Sequence, residues 1–249
     1  MLPPRAERHP LRRGAIFRTD PKSFISGAEK DRAVRSLACY FKSFTGSHFE
    51  RFMDHDRPNE FTANDFLAVS MLGVNIPASA AIWLRNEGRA EVKTLLAEIG
   101  PADRHIWDPG ADLSATSAAT RLWRLARRHR WPEGEAASGL GRTKASKLLA
   151  AKRPNLLPVY DKHVAAALLT DPADNDWVLW HQRFQGAGSQ EIRRAIDDLR
   201  TEVQIPSDVA VLRVLDVAIW MRVHGYRYSN ELSDFNNAPR FWIKETTEQ

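Results

Sequence analysis

Cysteine is nearly missing from this 249-residue chain, in which Cys39 is the single thiol. One cysteine cannot form an internal disulfide, a thiolate zinc site or a four-cysteine iron–sulfur cluster. The chain also lacks an apolar stretch of the roughly 20 residues that a membrane-spanning helix needs, and its Pro- and Arg-rich start lacks the apolar segment of a secretory signal. We therefore expect a cytoplasmic protein with no membrane association.

The alternation of apolar and polar residues that is typical of strands is missing as well, and no βαβ rhythm is visible. Apolar residues recur instead at helical spacing, as Val34, Leu37 and Phe41 do. Periodicity, caps, glycines and prolines predict helices at residues 31–45, 63–72, 80–84, 92–99, 114–128, 143–151, 164–169, 189–203 and 207–223. We therefore predict an all-α domain at residues 30–249, preceded by a basic, irregular arm at residues 1–29.

Acidic residues are scarce in one part of this basic chain. The formal net charge is +5, and the stretch from Arg121 to Arg153 contains ten lysines and arginines but only two acids, Glu133 and Glu135. A local positive excess favours a polyanionic partner, although a solvated helical face has the same composition. A glycine motif inside this stretch favours the first interpretation.

The motif is Gly139-Leu140-Gly141, which lies directly before the helix predicted from residue 143. Glycines permit a tight turn, and the bare N–H groups at a helix N-terminus favour an anion such as phosphate. Such a turn contacts the DNA backbone rather than base edges, so binding would be independent of sequence and sensitive to salt. A Gly-x-Gly turn alone is a weak signal, and the residues that follow it make the signal specific.

The segment from Gly139 to Ala145 continues through a packed helix into Leu157-Pro158-Val159-Tyr160-Asp161-Lys162-His163-Val164. This composite resembles the helix-hairpin-helix DNA glycosylase superfamily, whose members include endonuclease III-like, adenine-mismatch and alkyl-base glycosylases. Asp161 matches the essential aspartate of that family, His163 matches a frequent histidine, and Ala145 matches a small residue in the hairpin helix. The resemblance implies an all-α, two-lobed helical bundle with a helix-hairpin-helix motif, in which the hairpin and the catalytic aspartate lie within residues 134–170.

The resemblance further implies a monomeric enzyme that binds double-stranded DNA and uses neither a cofactor nor a metal. Bifunctional members carry a lysine nucleophile where this chain has Thr143, and Lys144 is one residue out of phase, which rotates its side chain by about 100°. We therefore expect a monofunctional glycosylase that flips out a damaged or modified base and excises it without a lyase step. Asp161 would stabilise the oxocarbenium-like transition state and activate water, leaving an abasic site.

Two groups of residues are candidates for contacts with DNA. Lysines on the hairpin helix are expected to face solvent or phosphate. The candidate phosphate contacts are Gly139, Leu140, Gly141, Arg142, Thr143, Lys144, Lys147, Lys152 and Arg153. A flipped base needs aromatic walls, and a side chain of the turn after residue 72 is expected to enter the duplex as a wedge, although aromatics at helical spacing are often core residues. The candidates for pocket and wedge are Tyr40, Phe41, Phe44, Phe49, Phe52, Val74, Asn75 and His163.

Several alternatives remain open at the level of sequence. The excised base is either an unusual one, such as a glucosylated hydroxymethylcytosine of phage DNA in an antiviral role, or an ordinary alkylated or deaminated base. A non-catalytic helix-hairpin-helix protein would bind DNA and use Asp161 only as a helix cap. An RNA-processing enzyme is a third class, but no Walker loop supports it, and histidines such as His105, His129 and His181 lack the paired spacing of metal ligands.

Overall fold

The computed structural model describes residues 17–128, 140–169 and 177–228, and within them the fold is all-helical, as predicted. Its α-helices are α1 (Lys30–Ser43), α2 (Phe49–Phe52), α3 (Ala63–Met71), α4 (Ala78–Arg85), α5 (Arg89–Ile99), α6 (Ala118–Arg128), α7 (Arg142–Lys152), α8 (Lys162–Leu168), α9 (Trp177–Gln185), α10 (Ser189–Val203) and α11 (Val211–Tyr228). Short 3-10 helices lie at Pro21–Phe24, Gly27–Glu29 and Thr45–His48. The only β pairing in these ranges is an isolated bridge between Phe17 and Leu169. None of their helices is both long and apolar enough to cross a membrane.

Side-chain caps fix several of the predicted helix ends. The amide and the hydroxyl of Thr62 both donate to Asp65 Oδ2, at 2.7 and 3.0 Å, so that the first turn of α3 is closed. The α6 helix begins later than predicted, because the Ser117 hydroxyl accepts the Thr120 amide at 3.2 Å and caps the helix there. The α11 helix also begins later, at Val211, and the sequence prediction missed α9 altogether.

The helices pack as two lobes around one continuous apolar core. The terminal lobe comprises α1 and α8–α11: α1 packs against α10 and α11, α11 packs against α8, and α9 packs against α10. The central lobe comprises α2–α7, in which α3 and α6 both pack against α7. The 3-10 helix at Thr45–His48 contacts α1, α2 and α3 and thus lies at the junction of the lobes. The segment before α8 contacts α7 through Ser146, whereas α8 itself packs against α11, so the start of α8 also lies between the lobes.

Two basic residues at the end of α7 are core residues, so the expectation that Lys152 and Arg153 contact phosphate is wrong. Lys152 is 2% exposed, and its ammonium pairs with Asp65 at 2.6 Å. Arg153 is fully buried, and its guanidinium donates to the carbonyls of Pro58 and Leu96 at 2.7 and 2.6 Å. Their charges therefore hold α7 within the central lobe, because buried cations persist only when they are paired or hydrogen-bonded.

Candidate active site

Asp161 is the N-cap of α8, as the sequence predicted. Its Oδ1 accepts the backbone amides of His163 at 2.8 Å and Val164 at 3.4 Å. The second carboxylate oxygen, Oδ2, accepts no hydrogen bond from the described residues. The residue is half-buried, so one oxygen orients the carboxylate while the other is available to a ligand.

The helix α7 holds the segment that carries Asp161. The buried hydroxyl of Ser146 donates to the Pro158 carbonyl at 3.2 Å and accepts the Tyr160 amide at 3.0 Å. The guanidinium of Arg142 lies over the Tyr160 ring, 3.8 Å from its centroid. Because these contacts join the first two turns of α7 to residues 158–160, the position of Asp161 depends on the packing of that helix.

The start of α7 presents backbone amides to the surface. Leu140 is buried, while Gly141 is exposed and extended, with ψ 174°, and caps α7 without a side chain. Thr143 and Lys144 are half-buried in the first turn. Residues 129–139, which include Gly139, lie outside the described residues. The hairpin itself therefore stays a prediction. The described part is a helix N-terminus whose amides can donate hydrogen bonds to an anion.

Lys147 does not face solvent, so the expected outward direction of its side chain is wrong. It is 7% exposed, and its ammonium donates to the Leu72 carbonyl at 2.9 Å. Burial lowers the pKa of Lys147, while the nearby carboxylates of Asp161 and Asp216 oppose that shift. The prediction failed because α7 is covered on all sides from Ala145 onward, which leaves no outer face at this position.

Aromatic rings lie together beside Asp161 and extend onto α11. The ring of Phe44 stacks on Tyr40 with centroids 5.1 Å apart, and it meets the edge of Trp220 at 5.9 Å. Trp220 packs on His224 at 4.3 Å, and His224 in turn lies 4.6 Å from His163. Phe44, Trp220 and both histidines are half-buried, so they are accessible in part.

Asp161, His163 and His224 converge within this group. One potential ligand atom of each side chain lies within 4.8 Å of those of the other two. His163 lies in the first turn of α8, and His224 lies near the end of α11, which packs against α8. The histidine spacing in the sequence gave no sign of this, because the three residues meet only through the packing of two helices.

A buried charge network supports the aromatic group from beneath. The Arg213 guanidinium contacts Asp216 at 2.5 Å, Glu50 at 3.7 Å and the hydroxyl of Tyr40. Burial raises the pKa of Glu50 to about 7 and raises that of Asp216, while the surrounding acids and Tyr40 keep Arg213 charged by raising its pKa. A Cβ at Gly46 would collide with the Tyr40 hydroxyl, so this network also fixes the junction of the lobes.

The other predicted pocket and wedge residues divide between core and surface. Phe49 is 1% exposed and Tyr40 is 5% exposed, so both belong to the core. Asn75 is exposed in the loop between α3 and α4. That loop starts near the site, since Lys147 holds the Leu72 carbonyl and the Thr45 hydroxyl donates to the Met71 carbonyl at 3.3 Å.

A separate cleft of about 390 Å³ lies at the opposite end of α11. It is lined by His105, Trp107, Arg193 and Arg194, and by Val211 at the first turn of that helix. His224 lies thirteen positions after Val211 in the helix, which corresponds to about 20 Å along the axis. The cleft is therefore distinct from the group around Asp161.

Sequence reasoning identified Asp161 and His163 but missed their partners on α11. Trp220, His224 and Arg213 carry no local motif, and their relation to Asp161 arises only from tertiary packing. A model of a family of unknown function, DUF6308, matches residues 33–223, a span that includes Lys147, Asp161 and Trp220. Comparisons with curated proteins and with solved structures gave no match.

Proposed function

Since the chain belongs to the family of unknown function DUF6308, we propose its activity from the site itself: a monofunctional DNA glycosylase that excises a damaged or modified base. The observation that carries the proposal is the position of Asp161, a half-buried carboxylate oriented by α8 and held against the hairpin helix α7. This arrangement supports the resemblance to helix-hairpin-helix glycosylases, in which an aspartate at this place in the sequence acts on the sugar.

In the proposed reaction, the bond between C1′ and the base nitrogen breaks, and the base leaves with the bonding electrons. The deoxyribose becomes cationic, and the ionised carboxylate of Asp161 stabilises it. Oδ2 accepts a proton from water, whose oxygen then bonds to C1′, and the proton passes on to the departed base, which restores the carboxylate. The product is an abasic site, because no amine of the protein replaces the base.

The partner in this proposal is double-stranded DNA. The N-terminus of α7 binds a phosphate through the amides after Gly141, and Lys144 adds a positive charge next to it. Lys147 stabilises the site from within and does not reach the backbone of the duplex. Binding is therefore sequence-independent and weakens as salt rises.

The flipped base fits best against the half-buried rings beside Asp161. Phe44, Trp220 and His224 offer ring faces, and Asn75 lies on the loop that would enter the duplex. The proposed substrate class is a base that unstacks easily because it is damaged or modified, including hypermodified cytosine in phage DNA. An antiviral role belongs to this proposal.

The test uses duplexes that carry alkylated, deaminated or glucosylated hydroxymethylated bases. After incubation with the protein, alkali converts abasic sites into strand breaks. Wild-type protein should produce strand breaks in one of these kinds of duplex, and only once alkali has been added. Asp161→Asn should reduce the number of breaks at least a hundredfold. Asparagine caps a helix as well as aspartate does, so the variant removes charge and not the cap. The matched control, Asp198→Asn, changes an exposed carboxylate on α10 and should retain activity.

The same assay tests the missing lyase step. Borohydride added with an abasic duplex should trap no covalent adduct, since Thr143 replaces the lysine of bifunctional relatives. A trapped adduct would contradict the monofunctional proposal, and comparison of Lys144→Arg with Lys147→Arg would identify the amine.

A non-catalytic DNA-binding protein is the second candidate. The observation that favours it is that the hydrogen bonds of Asp161 Oδ1 to two amides already account for an aspartate at this N-cap. This candidate predicts salt-sensitive binding to duplex DNA, no abasic sites on any substrate, and equal binding by wild type and Asp161→Asn.

A further inference from the structure

We propose that Asp161, His163 and His224 form a binding site for a divalent transition-metal ion such as Zn²⁺. One ligand atom from each residue lies within 4.8 Å of the other two. Zinc bonds to histidine nitrogen and carboxylate oxygen at about 2.0–2.2 Å, so ligand atoms around one ion are separated by roughly 3–4 Å. No two of the three atoms are more than 4.8 Å apart, so small side-chain rotations would bring them to that spacing. This inference does not depend on the proposed function.

The carboxylate is already oriented for such a site. Both backbone amides that donate to the Asp161 carboxylate bond to Oδ1, at 2.8 and 3.4 Å. Oδ2 accepts no hydrogen bond from the described residues. A metal ligand needs outer partners that fix its direction, and here the first turn of α8 supplies them. Oδ2 is therefore the oxygen that binds the ion.

The two imidazoles are arranged to converge and not to stack. Their ring planes are inclined by 75° with centroids 4.6 Å apart, and one nitrogen of each ring lies within 4.8 Å of the other and of a carboxylate oxygen of Asp161. The indole of Trp220 lies against His224 at 4.3 Å with a tilt of 32°, and this limits the rotation of that ring. Two histidines on separate helices thus share a position beside the carboxylate.

The donor types select the class of ion. Two imidazole nitrogens and one carboxylate oxygen favour first-row transition ions such as zinc over magnesium or calcium, which prefer oxygen ligands. Three protein ligands leave a fourth position for water, as in catalytic zinc sites.

The charged groups around Asp161 favour the binding of a cation. Asp161 and Asp216 lie close enough to repel each other, and this repulsion contributes to the raised pKa of Asp216. Of the nearby basic groups, Arg213 is paired with Asp216, and the pKa of Lys147 is lowered by burial.

The experiment titrates the full-length protein, stripped with a chelator, with Zn²⁺ in a calorimeter and without DNA. One equivalent should bind, while Mg²⁺ should give no signal. His224→Ala and Asp161→Asn should each weaken zinc binding at least tenfold, because each removes one of three ligands. His55→Ala, which removes an exposed histidine of the central lobe, should bind as wild type does.

Co²⁺ provides a second measurement that is sensitive to coordination. Visible absorption bands of a four- or five-coordinate ion should appear with wild type and disappear with His224→Ala, and circular dichroism should show both proteins folded. Absence of stoichiometric zinc binding, or binding that both ligand variants retain, would overturn the proposal. Since no DNA is present, the result is independent of base excision: zinc can bind to a protein that excises nothing, and excision can proceed in a protein that binds no zinc.

Discussion

Asp161 combines a structural role with a proposed one. Oδ1 closes the first turn of α8, and Oδ2 is the oxygen that we propose to act on a sugar cation or to bind a metal ion. An asparagine keeps the first role and loses the charge that the second requires. For this reason Asp161→Asn separates an effect on chemistry from an effect on folding better than Asp161→Ala does. The alanine would also remove the cap and lower the free energy of unfolding by about 1 kcal/mol.

The basic residues of α7 divide into internal and external ones. We predict that Lys152→Met lowers the free energy of unfolding by about 3–5 kcal/mol, because it leaves the Asp65 carboxylate buried without its partner. Lys144→Met should change stability by less than about 0.5 kcal/mol, since Lys144 is half-buried and makes no ion pair with the described residues.

Urea denaturation measures the stability of both variants, and a fluorescent duplex measures their DNA binding. Lys144→Met should weaken binding and reduce its dependence on salt by about one counterion. Equal destabilisation by the two substitutions would contradict the division into internal and external lysines.

Residue types were easier to predict than side-chain directions. The sequence singled out Asp161 through the resemblance of the segment around it, but it assigned Lys147, Lys152 and Arg153 to the surface because charged residues are seldom buried. In this protein, carbonyl groups of the loops around α3 accept hydrogen bonds from all three side chains. Such long-range partners have no trace in local spacing.

At the scale of elements, the contact between α7 and the segment before α8 determines where Asp161 lies. We predict that Ser146→Ala lowers the free energy of unfolding by about 1–3 kcal/mol, because the Pro158 carbonyl and the Tyr160 amide both lose their hydroxyl partner in a buried position. The variant should also excise bases more slowly while it binds the duplex as tightly as wild type.

Thr94→Ala is the matched control for this prediction. Its hydroxyl donates to the Ala90 carbonyl within α5 at 3.1 Å on an exposed face, so its loss should change neither stability nor rate appreciably. If Ser146→Ala kept the full rate, the contact would not position Asp161.

Most helices could be predicted, because their apolar periodicity and their caps are local. The α10 helix has the predicted bounds, and α3 begins after the predicted cap at Thr62. The α9 helix was missed, although Trp177, Trp180 and Phe184 recur along it at helical spacing and are buried. The single-turn helix α2 is too short to show a period.

At the scale of the whole molecule, Glu50 and Arg213 join the two lobes, and their ionisation links stability to pH. The pKa of Glu50 is about 7, above the 4.5 of an unperturbed glutamate, because burial disfavours the anion. Glu50 therefore binds its proton more tightly in the folded state than in the unfolded state. The stability that results is fully present below pH 4.5 and is lost as pH rises through 7.

We predict that Glu50→Gln makes the free energy of unfolding less dependent on pH between 4.5 and 8. Over this pH range the free energy of unfolding of the wild type should fall by on the order of 2–3 kcal/mol more than that of the variant. Urea denaturation at each pH measures both. Glu87→Gln, at an exposed position in the turn after α4, should follow the wild-type profile. A Glu50→Gln profile as steep as that of wild type would mean that Glu50 stays ionised throughout.

The two-lobed architecture followed from the family resemblance, whereas the composition of the site at the junction did not. Residues of α7, α8 and α11 meet there, and only the first two helices adjoin the segment that carries the resemblance. The third contributes Arg213, Trp220 and His224 from the far end of the sequence.

The order in which the lobes are completed follows from the connectivity. The central lobe is one uninterrupted stretch of chain, so it can acquire its contacts while later residues are still on the ribosome. The terminal lobe pairs α1 with α10 and α11, and its first helix must therefore wait for the last ones to be synthesised. Until α11 emerges, the part of α1 that packs against α11 has no cover, and a nascent chain that stalls before residue 211 would offer that part to chaperones.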